Sequence, residues 1–297
     1  MKKEQRPYLD QKNLKLFITC KDHTVSRETF NLYKDEANDL LITLPRPADL
    51  ELPAYYESEA YISHTDSKVS LMDKVYQLIK HYSIKKKLSM INGLSRQKGL
   101  LLDIGCGTGD FLATCQKDGW KVKGIEPSDK ARDLSGRKLE GEELVSDTIH
   151  SFLDSDQGKF DVITMWHVLE HVPNLMEYIQ QLKLLLKPDG LIVIAVPNFK
   201  SYDANHYKEF WAAYDVPRHL WHFSETAIKK IFGKFDFEVI KTLPLVFDSF
   251  YVSLLSEKYK TGKSNFFGAF KTGLLSNLKA KSTNQYSSLI YFIKNAK

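Results

Sequence analysis

From residue 99 onward, strand-length apolar runs alternate with segments of helical spacing, and no other feature restricts the fold as strongly. "GLLLDIG" (99–105) is a strand, "GDFLATCQKDG" (109–119) a helix stopped at Gly119, "WKVKGIE" (120–126) a second strand and "DKARDLSGRKL" (129–139) a second helix. "ELVSD" (143–147) and "FDVITMWH" (160–167) follow as strands, then the helix "NLMEYIQQLKLLLKPDG" (174–190) with a proline–glycine stop, then the strand "LIVIAVPN" (191–198). Strands apolar on both faces, separated by helices, predict a parallel sheet with helices on both sides. Its crossovers are right-handed and its ligands sit at the carboxyl ends of the strands. "SETAIKKIFGKF" (224–235) adds a helix opened by the N-cap Ser224, and "FEVIKTLPL" (237–245) and "SSLIYFIKN" (287–295) add a sixth and a seventh strand.

The flanking segments are less regular. Residues 1–67 read as an N-terminal extension with strand-like pieces, "LKLFITC" and "DLLITLP", broken by Pro45, Pro47 and Pro53. Residues 68–92 have the spacing of one amphipathic helix, stopped at Asn92-Gly93. The domain reading is therefore 1–67 extension, 68–244 with 286–297 core, and 245–285 insertion, the last expected to be a substrate lid.

Composition excludes more than it selects. Of 297 residues, 43% are hydrophobic and 27% charged, enough for a sizeable core, and a net charge of +5 does not argue for nucleic acid. No apolar run approaches the ~18 residues of a membrane span, and "MKKEQRPYLDQ" lacks the apolar stretch of a signal peptide. The three cysteines form no C-x-x-C pair, so a reduced, cytoplasmic protein is expected.

The chemistry concentrates in "DIGCGTG" (103–109), where Gly105, Gly107 and Gly109 let the backbone turn sharply and approach a ligand. A dinucleotide fingerprint would place glycine where Asp110 stands. An acid there would repel a pyrophosphate and suit a cationic ligand. Glu126 ends the second strand, where a carboxylate can accept both ribose hydroxyls of a nucleoside.

With these residues the chain resembles the class I S-adenosylmethionine-dependent methyltransferases. "LLDIGCGTGDFL" is similar to their first motif. The resemblance implies a Rossmann-like α/β fold with a seven-stranded sheet in the order 3-2-1-4-5-7-6, strand 7 antiparallel. It implies S-adenosyl-L-methionine as cofactor and S-adenosyl-L-homocysteine as product. By it, Asp103, Gly105, Cys106, Gly107, Gly109, Glu126, Pro127 and Asp147 are cofactor-binding, with Met165, Trp166 and His167 as the wall at the end of the fourth strand. "DHTVSRETFNL" (22–32), "YYESEAYISHTDS" (55–67), "MWHVLEHVPN" (165–174) and "WAAYDVPRHLWHFS" (211–224) resemble a bacterial methyltransferase-like subgroup distantly similar to the ubiquinone-biosynthesis O-methyltransferases. Relatives with this N-terminal stretch often carry paired zinc-binding cysteines, whereas Cys20 stands alone, so no metal is expected there.

"WHVLEH" (166–171) also matches H-x-x-E-H, the spacing of an inverted zinc-protease helix. It begins on a strand, so His167 and His171 need not share a face. His167 is read as a candidate base, and Glu170 and His171 as loop anchors. His219 and His222 are further candidate bases, and Arg218 a candidate clamp for an acidic group on the substrate. Packing is the competing reading for all three. Tyr55, Tyr56, Tyr61 and His64 are read as packing or as a cover over the cofactor. The expected function is methyl transfer to a small molecule. A cofactor-binding module and a lipid-like or macromolecular acceptor stay as alternatives, and membrane contact through the lysine-rich insertion is not favoured.

Overall fold

The computed structural model describes residues 14–48, 50–56, 71–95, 97–139 and 144–296, and of residues 71–78 only the backbone. The core sheet is built from β4 (Leu100–Ile104), β5 (Lys121–Ile125), β6 (Val145–Ser146), β7 (Phe160–Trp166), β8 (Leu186–Pro197), β10 (Phe237–Pro244) and β11 (Ser288–Asn295). Its spatial order is β6-β5-β4-β7-β8-β11-β10. β4 to β8 run parallel, and β11 is antiparallel to both neighbours. This is the 3-2-1-4-5-7-6 order expected from the resemblance. Alternate residues of each central strand feed two cores. Leu102, Ile104, Ile163 and Met165 point to one face, and Leu101, Val162, Val193 and Ala195 to the other.

Helices α1 (Leu71–Asn92), α2 (Asp110–Lys117), α3 (Asp129–Lys138), α4 (His150–Leu153), α5 (Leu175–Leu185), α6 (Tyr202–Tyr207) and α7 (Glu225–Gly233) connect or cover the sheet. The Ser224 side chain accepts from the Ala227 N–H at 3.0 Å, the expected cap of α7. α1 ends at Asn92, whose amide receives the Trp120 indole N–H at 2.9 Å and donates to Asp118 at 2.8 Å.

Two regions differ from the sequence reading. The "KPDG" that was to stop α5 lies inside β8, which starts at Leu186. A register break in the β7–β8 pairing, between Phe160 and Val162, absorbs Pro188 there. Within the N-terminal extension, the two strand-like pieces of the described residues are true strands, joined by a third. β1 (Leu14–Lys21), β2 (Thr29–Asp35) and β3 (Leu40–Leu44) form an antiparallel sheet completed by β9 (Trp221–His222). Insertion 245–285 folds as a hairpin of α8 (Asp248–Thr261) and α9 (Phe266–Thr283).

Candidate active site

The glycine loop leaves β4 and enters α2 with Gly105, Gly107 and Gly109 all at positive φ. A Cβ at Gly109 would lie 2.3 Å from Ser135 Oγ, so only glycine lets the loop pack on α3. A Cβ at Gly107 would meet nothing within 4 Å. Its bare backbone therefore borders open space rather than protein, as a ligand cradle requires. The Gly105 and Cys106 N–H groups donate to the Ile125 carbonyl at 2.7 and 3.0 Å, fixing the loop to the end of β5.

Glu126 follows directly. Its two oxygens accept from Gly107 N–H at 2.8 Å and Ser128 N–H at 2.9 Å, holding the carboxylate at the rim of the cradle. Asp103 is buried in β4 and accepts from Thr164 on β7 at 2.5 Å. Burial pushes its carboxyl up to about 7, against the Thr164 hydrogen bond and the Lys87 charge, with Glu126 adding to the rise. Pro127 follows Glu126 at the surface. Asp147 stands exposed just after β6, with Ser146 Oγ at 3.3 Å.

Several expectations require correction. Asp110 does not charge the cradle. Lys80 and Lys138 hold its two oxygens at 2.6 and 2.7 Å, and they outweigh burial to keep its carboxyl down at about 2. Met165 is no cofactor wall, because strand alternation turns it into the core with Ile104 and Ile163. Trp166 does line the other face, edge-on to Phe111 at 5.6 Å and under the Lys87 ammonium at 4.1 Å. Burial depresses the pKa of Lys87, opposed by the charges of Asp103 and Asp248. Cys106 is buried beside Ser135, and burial pushes its thiol up to about 12, so it contributes backbone and volume.

His167 sits just past the end of β7 with φ 59, a left-handed conformation costly for a non-glycine residue. Its Nε2 lies 3.0 Å from Asp248 on the helical hairpin and its Nδ1 3.4 Å from Glu170. Burial would lower its pKa, but the two carboxylates win and raise it to about 10. Near neutral pH the ring is an imidazolium held between acids, which is not the free base expected from the sequence.

The segment "DVPRHLWH" is tied into the fold. Arg218 is buried and donates through Nε and Nη2 to Asp215 at 3.0 and 2.6 Å, through Nη2 to Asp22 at 3.1 Å, and through Nη1 to the Tyr55 carbonyl at 2.9 Å. Its fork spans the N-terminal sheet and the loop and is not available as a substrate clamp. His222 lies buried on β9 with Nε2 3.0 Å from Thr43 Oγ1, and burial drives its pKa well down, so it is a neutral structural group. Tyr55 donates to Glu28, and Tyr56 meets His171 at 3.0 Å, while Tyr61 and His64 lie outside the described residues.

Sequence reasoning missed one cluster. His219 Nδ1 donates to the Ala213 carbonyl at 2.8 Å, with its Nε2 3.9 Å from Asp215, and His171 Nδ1 faces the Arg218 carbonyl at 3.1 Å. One ring nitrogen of each histidine and a Glu170 oxygen lie within 4.8 Å of one another, a donor set able to hold a divalent cation. Glu170 is buried, and beyond the ion pair of one oxygen with His167 at 3.4 Å neither oxygen has a hydrogen-bond partner among the described residues. Burial and the neighbouring His219 charge press His171 down to about 4. The signal was present in the two motifs, but only a tertiary contact brings "LEH" and "PRH" together: Leu220 N–H, just before β9, donates to the Glu170 carbonyl at 2.8 Å.

A 3-2-1-4-5-7-6 sheet, a glycine cradle after its first strand and a carboxylate closing its second define a class I S-adenosylmethionine-dependent methyltransferase fold. A profile described as a methyltransferase domain matches residues 76–242, and the chain belongs to that family. Over 121 residues it is 37% identical to a ubiquinone biosynthesis O-methyltransferase of Actinobacillus pleuropneumoniae serotype 7 (strain AP76), across 37% of this chain and 51% of that protein. Against the protein of the same name from Shewanella halifaxensis (strain HAW-EB4), identity is 32% over 104 residues, across 33% of this chain and 43% of that one. The chain thus spans about half the length of the curated relatives it matches. Magnesium protoporphyrin IX methyltransferase from Synechocystis PCC 6803, solved with bound SAH, shares the fold at a TM-score of 0.53 and 17% identity, covering 84% of this chain and 100% of that one.

Proposed function

We propose that this protein transfers a methyl group from S-adenosylmethionine to a small-molecule acceptor at the carboxyl ends of β4 and β7. The observation carrying this reading is the cradle itself: open space over Gly107, bounded by a Glu126 carboxylate already oriented by two backbone N–H groups. Gly105, Gly107 and Asp103 would hold the methionine side of the cofactor, and Glu126 its ribose. When bound, S-adenosylmethionine supplies an electrophilic methyl group. The protein's own work is then to position the acceptor in line and to move its proton.

His167 stands at the strand end from which an acceptor would be reached. As an imidazolium between Asp248 and Glu170, it becomes a base only when the acceptor displaces one of the two carboxylates and the ring gives up its extra proton to water. The name of the matched relatives supports an oxygen acceptor, which needs such a proton acceptor as it attacks. Incubation with methyl-labelled S-adenosylmethionine and a cell extract, separated afterwards into organic and aqueous phases, tests the reading. Label in a low-mass product, absent with Glu126→Ala, is expected. S-adenosylhomocysteine binding without any labelled product would instead make the chain a cofactor-binding module.

A further inference from the structure

The α8–α9 hairpin is built inside out. A helix of a water-soluble protein hides its apolar stripe and exposes its polar one. α9 buries Ala269, Thr272, Gly273, Ser276 and Ala280 and exposes Phe267, Phe270, Leu274 and Leu278, which recur along one face. Phe267 is 81% exposed and Phe266 and Phe270 each 59%. α8 repeats the inversion, burying Ser249, Ser253, Ser256 and Glu257.

The buried side is held by polar contacts and close backbone approach. Ser276 donates to Asp203 at 2.6 Å, Ser249 to the Gly273 carbonyl at 3.1 Å, and Tyr207 to Glu257 at 3.1 Å. A Cβ at Gly273 would come within 2.8 Å of Phe250, so the two helices approach closely enough to require glycine. Small residues and hydroxyls between helices, with large apolar groups outside, are the packing of helices whose outer solvent is lipid.

Charge selects the kind of lipid surface. Residues 245–285 carry six lysines and two acids. Both acids are engaged, Asp248 with His167 and Glu257 with Tyr207 and Asn265. Lys271 and Lys281 are exposed and, at helical spacing, flank the Phe267–Leu278 stripe. Among the described residues no helix is long and apolar enough to cross a membrane. We infer that the α8–α9 hairpin docks the protein on an anionic lipid bilayer, the α9 aromatic stripe entering the interface and the lysines meeting the headgroups.

The docking does not depend on the methyl-transfer reading, although Asp248 at the foot of α8 joins this surface to His167. The test is co-sedimentation of the full chain with phosphatidylcholine vesicles, with and without phosphatidylglycerol, at low and raised salt. The wild type should sediment with the phosphatidylglycerol vesicles and be released by salt. Phe267→Ser/Phe270→Ser should lose about tenfold or more of that binding, and Lys271→Glu/Lys281→Glu should lose the preference for anionic lipid. Unchanged S-adenosylhomocysteine binding by both variants shows that they remain folded. A wild type that stays in the supernatant with both vesicle types overturns the inference. So does a Phe267→Ser/Phe270→Ser protein that sediments like wild type. A dimer in solution that this substitution turns into a monomer, without vesicle binding, assigns the face to a second copy instead.

Discussion

Arg218→Ala separates a guanidinium that holds the fold together from one that clamps a substrate. The guanidinium closes a buried triad with Asp215 and Asp22 and also donates to the Tyr55 carbonyl. Truncation leaves two carboxylates without their cation, one of them fully buried. Breaking such a buried pair from one side costs about 3–5 kcal/mol. For a chain of this size, whose unfolding entropy is roughly 0.6 kcal/mol/K, that corresponds to a fall in Tm of about 5–8 °C. The triad also predicts a pH dependence. Burial alone would raise the Asp22 carboxyl, but the N–H groups of Thr24 and Ser26, and Arg218, outweigh it and hold it well below the usual carboxylate range. Asp215 is likewise lowered, by Arg218 and His219 against burial. Depressed folded values stabilise above the ordinary carboxylate pKa, near 4, and that stability is lost as pH falls through them. Urea unfolding from neutral pH downward should therefore show a large loss of stability in Arg218→Ala and a flatter acid limb. Arg218→Lys, which keeps the charge without the fork, should fall between. If Arg218→Ala kept wild-type Tm and raised only the KM for the acceptor, the guanidinium would be a substrate clamp and the argument would fail.

Other consequences can be checked separately. Gly107→Ala places a methyl group in open space at φ 55, so it should cost only about 1–2 kcal/mol of stability while weakening S-adenosylhomocysteine binding well beyond that. Gly109→Ala, which collides with Ser135, should lower Tm more than Gly107→Ala does. The His167 pKa is raised, so its pairing stabilises fully below the ordinary histidine value and is lost as pH rises toward about 10. Asp248→Asn should move the His167 titration, followed by ring NMR, to lower pH, and an unmoved midpoint would refute the pairing.

The core sheet was legible because its signals are local: apolar runs of strand length, capped helices and a loop that only glycine can form. Even the order of β10 and β11 came with the resemblance. The small sheet was legible only in part: β1 and β3 read as strand-like pieces, but β2 alternates too weakly and β9 is two residues of a loop paired with β3, which lies about 180 positions earlier. The same gap explains the site. Gly105, Gly107 and Glu126 stand where their motif puts them, because strand, loop and strand are contiguous. His171 and His219 meet only through tertiary pairing, and His167 loses its role as a free base to Asp248, 81 positions further along the chain. No spacing rule carries that information.

The central claim is that the cradle between Gly107 and Glu126 takes S-adenosylmethionine and not a dinucleotide. Isothermal titration with S-adenosylhomocysteine and with NAD, on wild type and Glu126→Ala, measures this directly. The account predicts one S-adenosylhomocysteine site per chain, weakened about tenfold or more by Glu126→Ala, and no heat with NAD. Saturable binding of NAD alone, or S-adenosylhomocysteine binding indifferent to Glu126, would contradict it.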